Sequence, residues 1–226
     1  MEILSDIPFS LDAASLGERM CLAPESADAR ALEKLIRLAE KTARPKAVYR
    51  ECYIEQKSSD TVAIDGIIFS SRALRINLEK PDRVFPFVAT CGSEVDAVVF
   101  EKEDFLEAFW WEEIKTDLLT FARRHLINTL AERFRLGKTA AMSPGSGDLD
   151  IWPIEQQTLL FSLLGDVEAA IGVQLSDVFL MTPVKSISGI RFPTEKDFRS
   201  CQVCRREKCP SRRAPFDLEL WESCRP

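Results

Sequence analysis

Met181-Thr182-Pro183-Val184-Lys185-Ser186-Ile187-Ser188-Gly189-Ile190-Arg191-Phe192 is the stretch whose reading decides the fold. Residues 186–192 are apolar and alternating enough for a strand, and 174–181 read as a second strand joined to it by Thr182-Pro183-Val184-Lys185. Upstream, residues 153–164 return to helical spacing, and a short helix ends at Gly172, a residue suited to a C-terminal cap. Residues 137–150 are rich in Gly, Ser and Pro and read as a loop. Before it, Leu106, Phe109, Trp110, Ile114 and Leu118 keep a 3.6-residue rhythm that predicts a helix over 102–135. That aromatic stripe is read as core packing rather than a cofactor wall. Strand-like runs cover 47–54, 61–70 and 84–91, with a turn signal at Asp65-Gly66. An amphipathic helix spans 26–43, followed by Pro45. Strands and helices do not alternate strictly, so the class is α+β with a largely antiparallel sheet.

A chain of 226 residues, 46% hydrophobic and 29% charged, suits one large domain with at most a small appendage. No run approaches the length of a membrane span, and Met1-Glu2-Ile3-Leu4-Ser5-Asp6 lacks the basic start of a secretory signal. The expected location is the cytoplasm. The charge is uneven. Residues 199–213 hold six basic side chains against Glu207 alone, in a chain of net charge -6. The acidic remainder argues against a nucleic-acid partner.

Ser143-Pro144-Gly145 is followed by a helix with Leu159-Leu160-Phe161-Ser162-Leu163-Leu164-Gly165. Then come Ile171-Gly172-Val173-Gln174-Leu175-Ser176-Asp177-Val178 and the Met181–Gly189 segment. In order and spacing this series resembles the activation domain of cobalamin-dependent methionine synthase. Leu130-Ala131-Glu132-Arg133-Phe134 is similar to that family's Leu-Ala-Glu-x-Phe helix, so the match runs over 130–192. Val48-Tyr49-Arg50 and Thr90-Cys91-Gly92-Ser93-Glu94 look, more loosely, like a stand-alone subgroup.

The resemblance implies an α+β domain with a twisted, largely antiparallel sheet and flanking helices. It implies S-adenosylmethionine as ligand. Glu132 would contact the ligand's amino group, and Ser143, Pro144 and Gly145 would supply main-chain contacts. Cobalamin would be carried by a partner methyltransferase. The task would be reductive methylation of Co(II) cobalamin, with an electron from a donor such as flavodoxin or ferredoxin. No catalytic residue is expected, because such a protein positions reactants. Two positions depart from the family. Ala141 stands where the family has a carboxylate-binding arginine, and Ser146 where it has a tyrosine. Lys138, Lys185 or a tail arginine are the candidate replacement cations.

Cys201-x-x-Cys204-x-x-x-x-Cys209-Pro210, with Cys224 further on, gathers four of the seven cysteines in a polar tail. Four thiolates suit a 4Fe-4S cluster or zinc, and the spacing leans to iron–sulfur. The expected division is therefore an activation-like domain over 1–197 and a cysteine-rich metal- or cluster-binding tail over 198–226. An iron–sulfur centre there would relay the electron. The alternative is a non-enzymatic iron–sulfur or zinc adaptor docking on a corrinoid protein with a degenerate nucleotide site. His125 is the chain's one histidine, so paired-histidine metal motifs are impossible. No phosphate-binding glycine loop is present, and there is no Asp-x-His-x-x-Gly cobalt-ligand segment. Cys91 has no histidine near it in sequence and reads as a packing residue.

Overall fold

The computed structural model describes every residue except Lys102, Leu149 and Pro226. The strands are β1 (Glu2–Leu4), β2 (Lys46–Tyr49), β3 (Cys52–Lys57), β4 (Thr61–Ile64), β5 (Ile67–Ser70), β6 (Arg83–Thr90), β7 (Thr139–Met142), β8 (Gln174–Leu175), β9 (Met181–Thr182) and β10 (Ser186–Pro193). The α-helices are α1 (Ala13–Arg19), α2 (Ala27–Thr42), α3 (Arg72–Asn77), α4 (Phe105–Phe134), α5 (Gln157–Leu164), α6 (Val167–Ile171) and α7 (Leu218–Cys224).

Eight strands form one sheet in which each pairing is antiparallel. β6 is its axis. One edge of β6 pairs with β10, and the other pairs with β2 and then with β3. β7 extends the sheet beyond β10. The expected strand over 47–54 is thus split at Arg50-Glu51 into β2 and β3. Strand alternation decides the layers. Ala47, Tyr49, Phe85, Phe87 and Ala89 face α4, where Ala122, Leu126 and Leu130 meet them. Val48 and Val88 face the other way, against Leu164 of α5 and Val167 and Ile171 of α6. The class read from the sequence, an α+β domain with an antiparallel sheet and flanking helices, is the observed one.

Local chemistry explains the element ends. Ser26 caps α2, its hydroxyl accepting from Ala29 N–H at 3.0 Å. Asp65 and Gly66 both take positive φ (44° and 79°), the primed turn that joins β4 to β5. α4 buries Trp110, Ile114, Leu118, Ala122, Leu126 and Leu130, but Leu106 and Phe109, which the rhythm also places in the core, are exposed near the start of the helix. The expected start of that helix at 102 lies outside the described residues.

Two segments differ from expectation. Between 174 and 182 only the short β8 and β9 pair, as a separate two-stranded ribbon. Ser176 breaks the strand by accepting from Leu180 N–H at 3.1 Å, the local turn chemistry of a serine. And 137–150, read as loop, contains β7.

Past residue 197 the chain stays on the body. Phe198, Val203, Trp221 and Cys224 are buried in the same cluster as Cys52, Val62, Phe69, Trp152 and Phe192. Asp148 pins this segment from the other side. It accepts from Arg205 N–H at 3.0 Å and Trp221 Nε1 at 2.8 Å, and pairs with the Arg205 guanidinium. Burial opposes the charge on Asp148, but these donors outweigh it and hold the carboxyl below its usual value. Among the described residues no helix is long and apolar enough to cross a membrane.

Candidate functional site

A groove of about 610 Å³ opens where β7, β10 and α4 meet the tail. Ser143-Pro144-Gly145-Ser146 forms its corner. Ser146 N–H donates to Ser143 O at 3.1 Å, and Gly145 has φ 74° after Pro144, the arrangement of a type II turn. A Cβ on Gly145 would sit 3.0 Å from the Ile154 side chain. The Gly145 N–H donates to Trp152 O at 2.7 Å. The main-chain donors of Gly145 and Ser146 are therefore committed within the protein. Ser143 and Ser146 line the groove, whereas Pro144 and Gly145 shape the turn behind it. Ser143 Oγ donates to Ser188 O at 2.5 Å and ties the turn to β10. Gly189 permits this close approach: a Cβ there would lie 2.5 Å from Met142 O and 2.8 Å from Ser143 Oγ.

Ala141, where the resemblance implies an arginine, has an arginine beside it on the neighbouring strand. Arg191 of β10 is the direct cross-strand partner of Ala141 on β7, so the two side chains share the α4-facing side of the sheet. Arg191 lines the groove and is 8% exposed. One Nη donates to Thr139 Oγ1 at 2.7 Å, and its Nε is buried with no partner. Burial, reinforced by the charge of Arg123 on α4, pushes the Arg191 guanidinium down to about 10. It stays charged at neutral pH.

Of the replacement cations expected from the sequence, Lys138 and the tail's Arg199 and Arg213 line the groove. Lys185 lies outside it, 3.7 Å from Glu112. Arg191 was not anticipated. Its signal in the sequence is a charge inside an otherwise apolar strand, Gly189-Ile190-Arg191-Phe192. Glu132 is exposed and does not line the groove. It follows Arg123 by nine residues, two and a half helical turns, and so occupies the opposite side of α4. Hence the carboxylate expected at the ligand's amino group is not brought to Ser143.

The four tail cysteines are not gathered. Among the described residues no group of three or more His, Cys, Asp or Glu side chains is placed to hold a metal ion. Cys224 is wholly buried in the apolar cluster, and burial raises its thiol. Cys201, Cys204 and Cys209 are half-buried in a loop whose hub is Arg212. The Arg212 guanidinium donates to the carbonyls of Cys201 (3.0 Å), Cys204 (3.1 Å), Ala214 (3.2 Å) and Arg206. A guanidinium satisfying four carbonyls orders the loop that carries these three cysteines. Cys91 is also buried, its thiol pushed up to about 12 by burial and Asp96. It is a packing residue.

No protein-family model matches this chain, and neither does any curated protein. Solved structures do. The crystal structure of the MetH reactivation domain bound to AdoHcy superposes with a TM-score of 0.59 at 16% identity, covering 88% of this chain and 81% of that one. With its antiparallel sheet, flanking helices and Pro-Gly corner, this chain has the fold of the methionine synthase reactivation domain.

Proposed function

We propose that this protein, acting in the cytoplasm, reactivates a corrinoid-dependent methyltransferase, holding S-adenosylmethionine in the groove with its carboxylate on Arg191. The observation that carries the reading is the exchange of a cation between facing strands. Ala141 removes an arginine from the position the family uses, and Arg191 restores a guanidinium beside the same Ser143-Pro144 corner. A guanidinium fork matches a carboxylate, and it does so best where water is excluded.

In this reading the chain contributes position rather than acid–base chemistry. The corrinoid belongs to the partner. With one electron from a flavodoxin- or ferredoxin-type donor, it would accept the sulfonium methyl that this chain holds in place, and the S–C electron pair would stay on sulfur, leaving neutral S-adenosylhomocysteine. The tail cysteines are given no part in electron delivery in this reading, since Cys224 is buried apart from the other three, which surround Arg212.

Calorimetry tests the ligand. Wild-type protein should bind S-adenosylmethionine, and Arg191→Ala should weaken it by roughly ten- to a hundredfold, the worth of one charge-assisted hydrogen-bonded contact. Equal affinity in the two proteins would remove Arg191 from the site. No binding by wild type would remove the ligand.

A further inference from the structure

The groove carries more positive charge than that ligand can use. Arg123, Lys138, Arg191, Lys196, Arg199 and Arg213 line it, against the single carboxylate of Asp197. Lys138 already holds Asp197 at 2.7 Å. Among the described residues, none of the other five forms an ion pair with a carboxylate. The chain has 36 acidic residues and a net charge of -6, so this concentration runs against its overall sign.

Arg123, Arg191 and Arg213 form a connected set. Arg191 feels the charge of Arg123, and Arg123 that of Arg213. They come from three separate elements: α4, β10 and the tail loop. Arg191 is buried with its Nε unpartnered. Like charges held together with one of them desolvated are costly unless a counter-anion joins them. S-adenosylmethionine brings one carboxylate and a net positive charge, so it offsets a single guanidinium.

We propose that Arg123, Arg191 and Arg213 form a binding site for a phosphate-bearing ligand. A phosphoryl group offers up to two charges and three acceptor oxygens to guanidinium forks arriving from several directions. A single carboxylate satisfies one fork. The site stands on the charge of these three residues around one groove and on the burial of Arg191, and does not depend on S-adenosylmethionine binding.

Sodium pyrophosphate and inorganic phosphate are the probes, titrated calorimetrically into the full chain at fixed ionic strength set with sodium chloride. Pyrophosphate should bind more tightly than phosphate. Arg123→Gln and Arg213→Gln should each weaken it roughly tenfold. Circular dichroism should show both variants folded, and Arg213, exposed in a loop, is the variant that keeps the test valid if Arg123→Gln unfolds. Absence of pyrophosphate binding, binding unchanged in the folded variants, or equal binding of citrate would overturn the proposal. S-adenosylmethionine is titrated into the same samples. Pyrophosphate binding without S-adenosylmethionine binding would sink the reactivation reading and leave this site standing, and the reverse would do the opposite.

Discussion

Arg191 is a residue whose surroundings oppose it. Seven of the eight positions of β10 are non-ionisable, and Arg191 is buried among them with one neutral hydroxyl for a partner. A buried ion without a counter-charge lowers stability, and replacement by an apolar side chain of similar length is often favourable. Arg191→Met should therefore raise the thermal midpoint of the ligand-free protein by about 2–4 °C, corresponding to about 1 kcal/mol in a chain of this size. The same variant should lose ligand affinity. Differential scanning calorimetry with and without ligand checks both halves; a lowered midpoint would mean that Arg191 is a structural residue. Gain of stability with loss of binding is what a site maintained for its ligand predicts.

At the scale of elements, the Pro-Gly turn, β7 and the tail loop act as one unit held by Asp148. Its carboxylate faces the Arg205 main chain, the Arg205 guanidinium and the Trp221 indole. The folded-state carboxyl lies below its usual value, so the unfolded chain binds the proton more tightly. The stabilisation is fully present above the unfolded value. It is lost as pH falls through the folded one. Wild-type protein should thus lose midpoint more steeply on acidification below the usual carboxylate range than Asp148→Asn does. At neutral pH Asp148→Asn should cost roughly 1–3 kcal/mol, because it leaves donors facing a weaker acceptor. Parallel acid profiles for the two proteins would count against the staple.

This scale also shows what the sequence makes legible. α2, α4 and β10 are long and patterned and β6 is a continuous apolar run, so the residues alone find them. β7 is hidden because Thr139-Ala140-Ala141-Met142 carries little strand propensity and owes its conformation to pairing with β10. α7 is hidden inside a polar tail whose apolar residues, Leu218, Leu220 and Trp221, are too few for periodicity to register. At the site, Ser143 follows from the motif. Arg191 does not, because its relation to Ala141 is a register across two strands 50 residues apart, which spacing along one chain does not encode.

For the molecule as a whole, the tail belongs to the core. Cys224 is packed with Cys52, Phe69 and Phe192, while Cys201, Cys204 and Cys209 sit around Arg212 outside that core. The cysteines should therefore respond differently to mutation. Cys224→Ser places a hydroxyl in an apolar cluster and should cost about 1–3 kcal/mol. The triple replacement of Cys201, Cys204 and Cys209 by Ser should leave the midpoint nearly unchanged, as should exhaustive dialysis against a chelator. Denaturant titration of these proteins gives the comparison, and a large loss in the triple variant or after chelation would restore a metal to the tail.

The groove has two walls of different origin, one from the sheet and α4, the other from residues 199–213 beyond the last strand of the sheet. The outer wall is fastened by a handful of contacts, Asp148 chief among them, and segments so fastened open more readily than a sheet does. Any molecule that bridges both walls shuts that opening. Occupancy should then be visible as slowed amide exchange and slowed proteolytic nicking in the tail, far along the chain from β7 and β10. The tail becomes a reporter of what the groove holds, and a partner that pulled it aside would empty the site without touching the ligand.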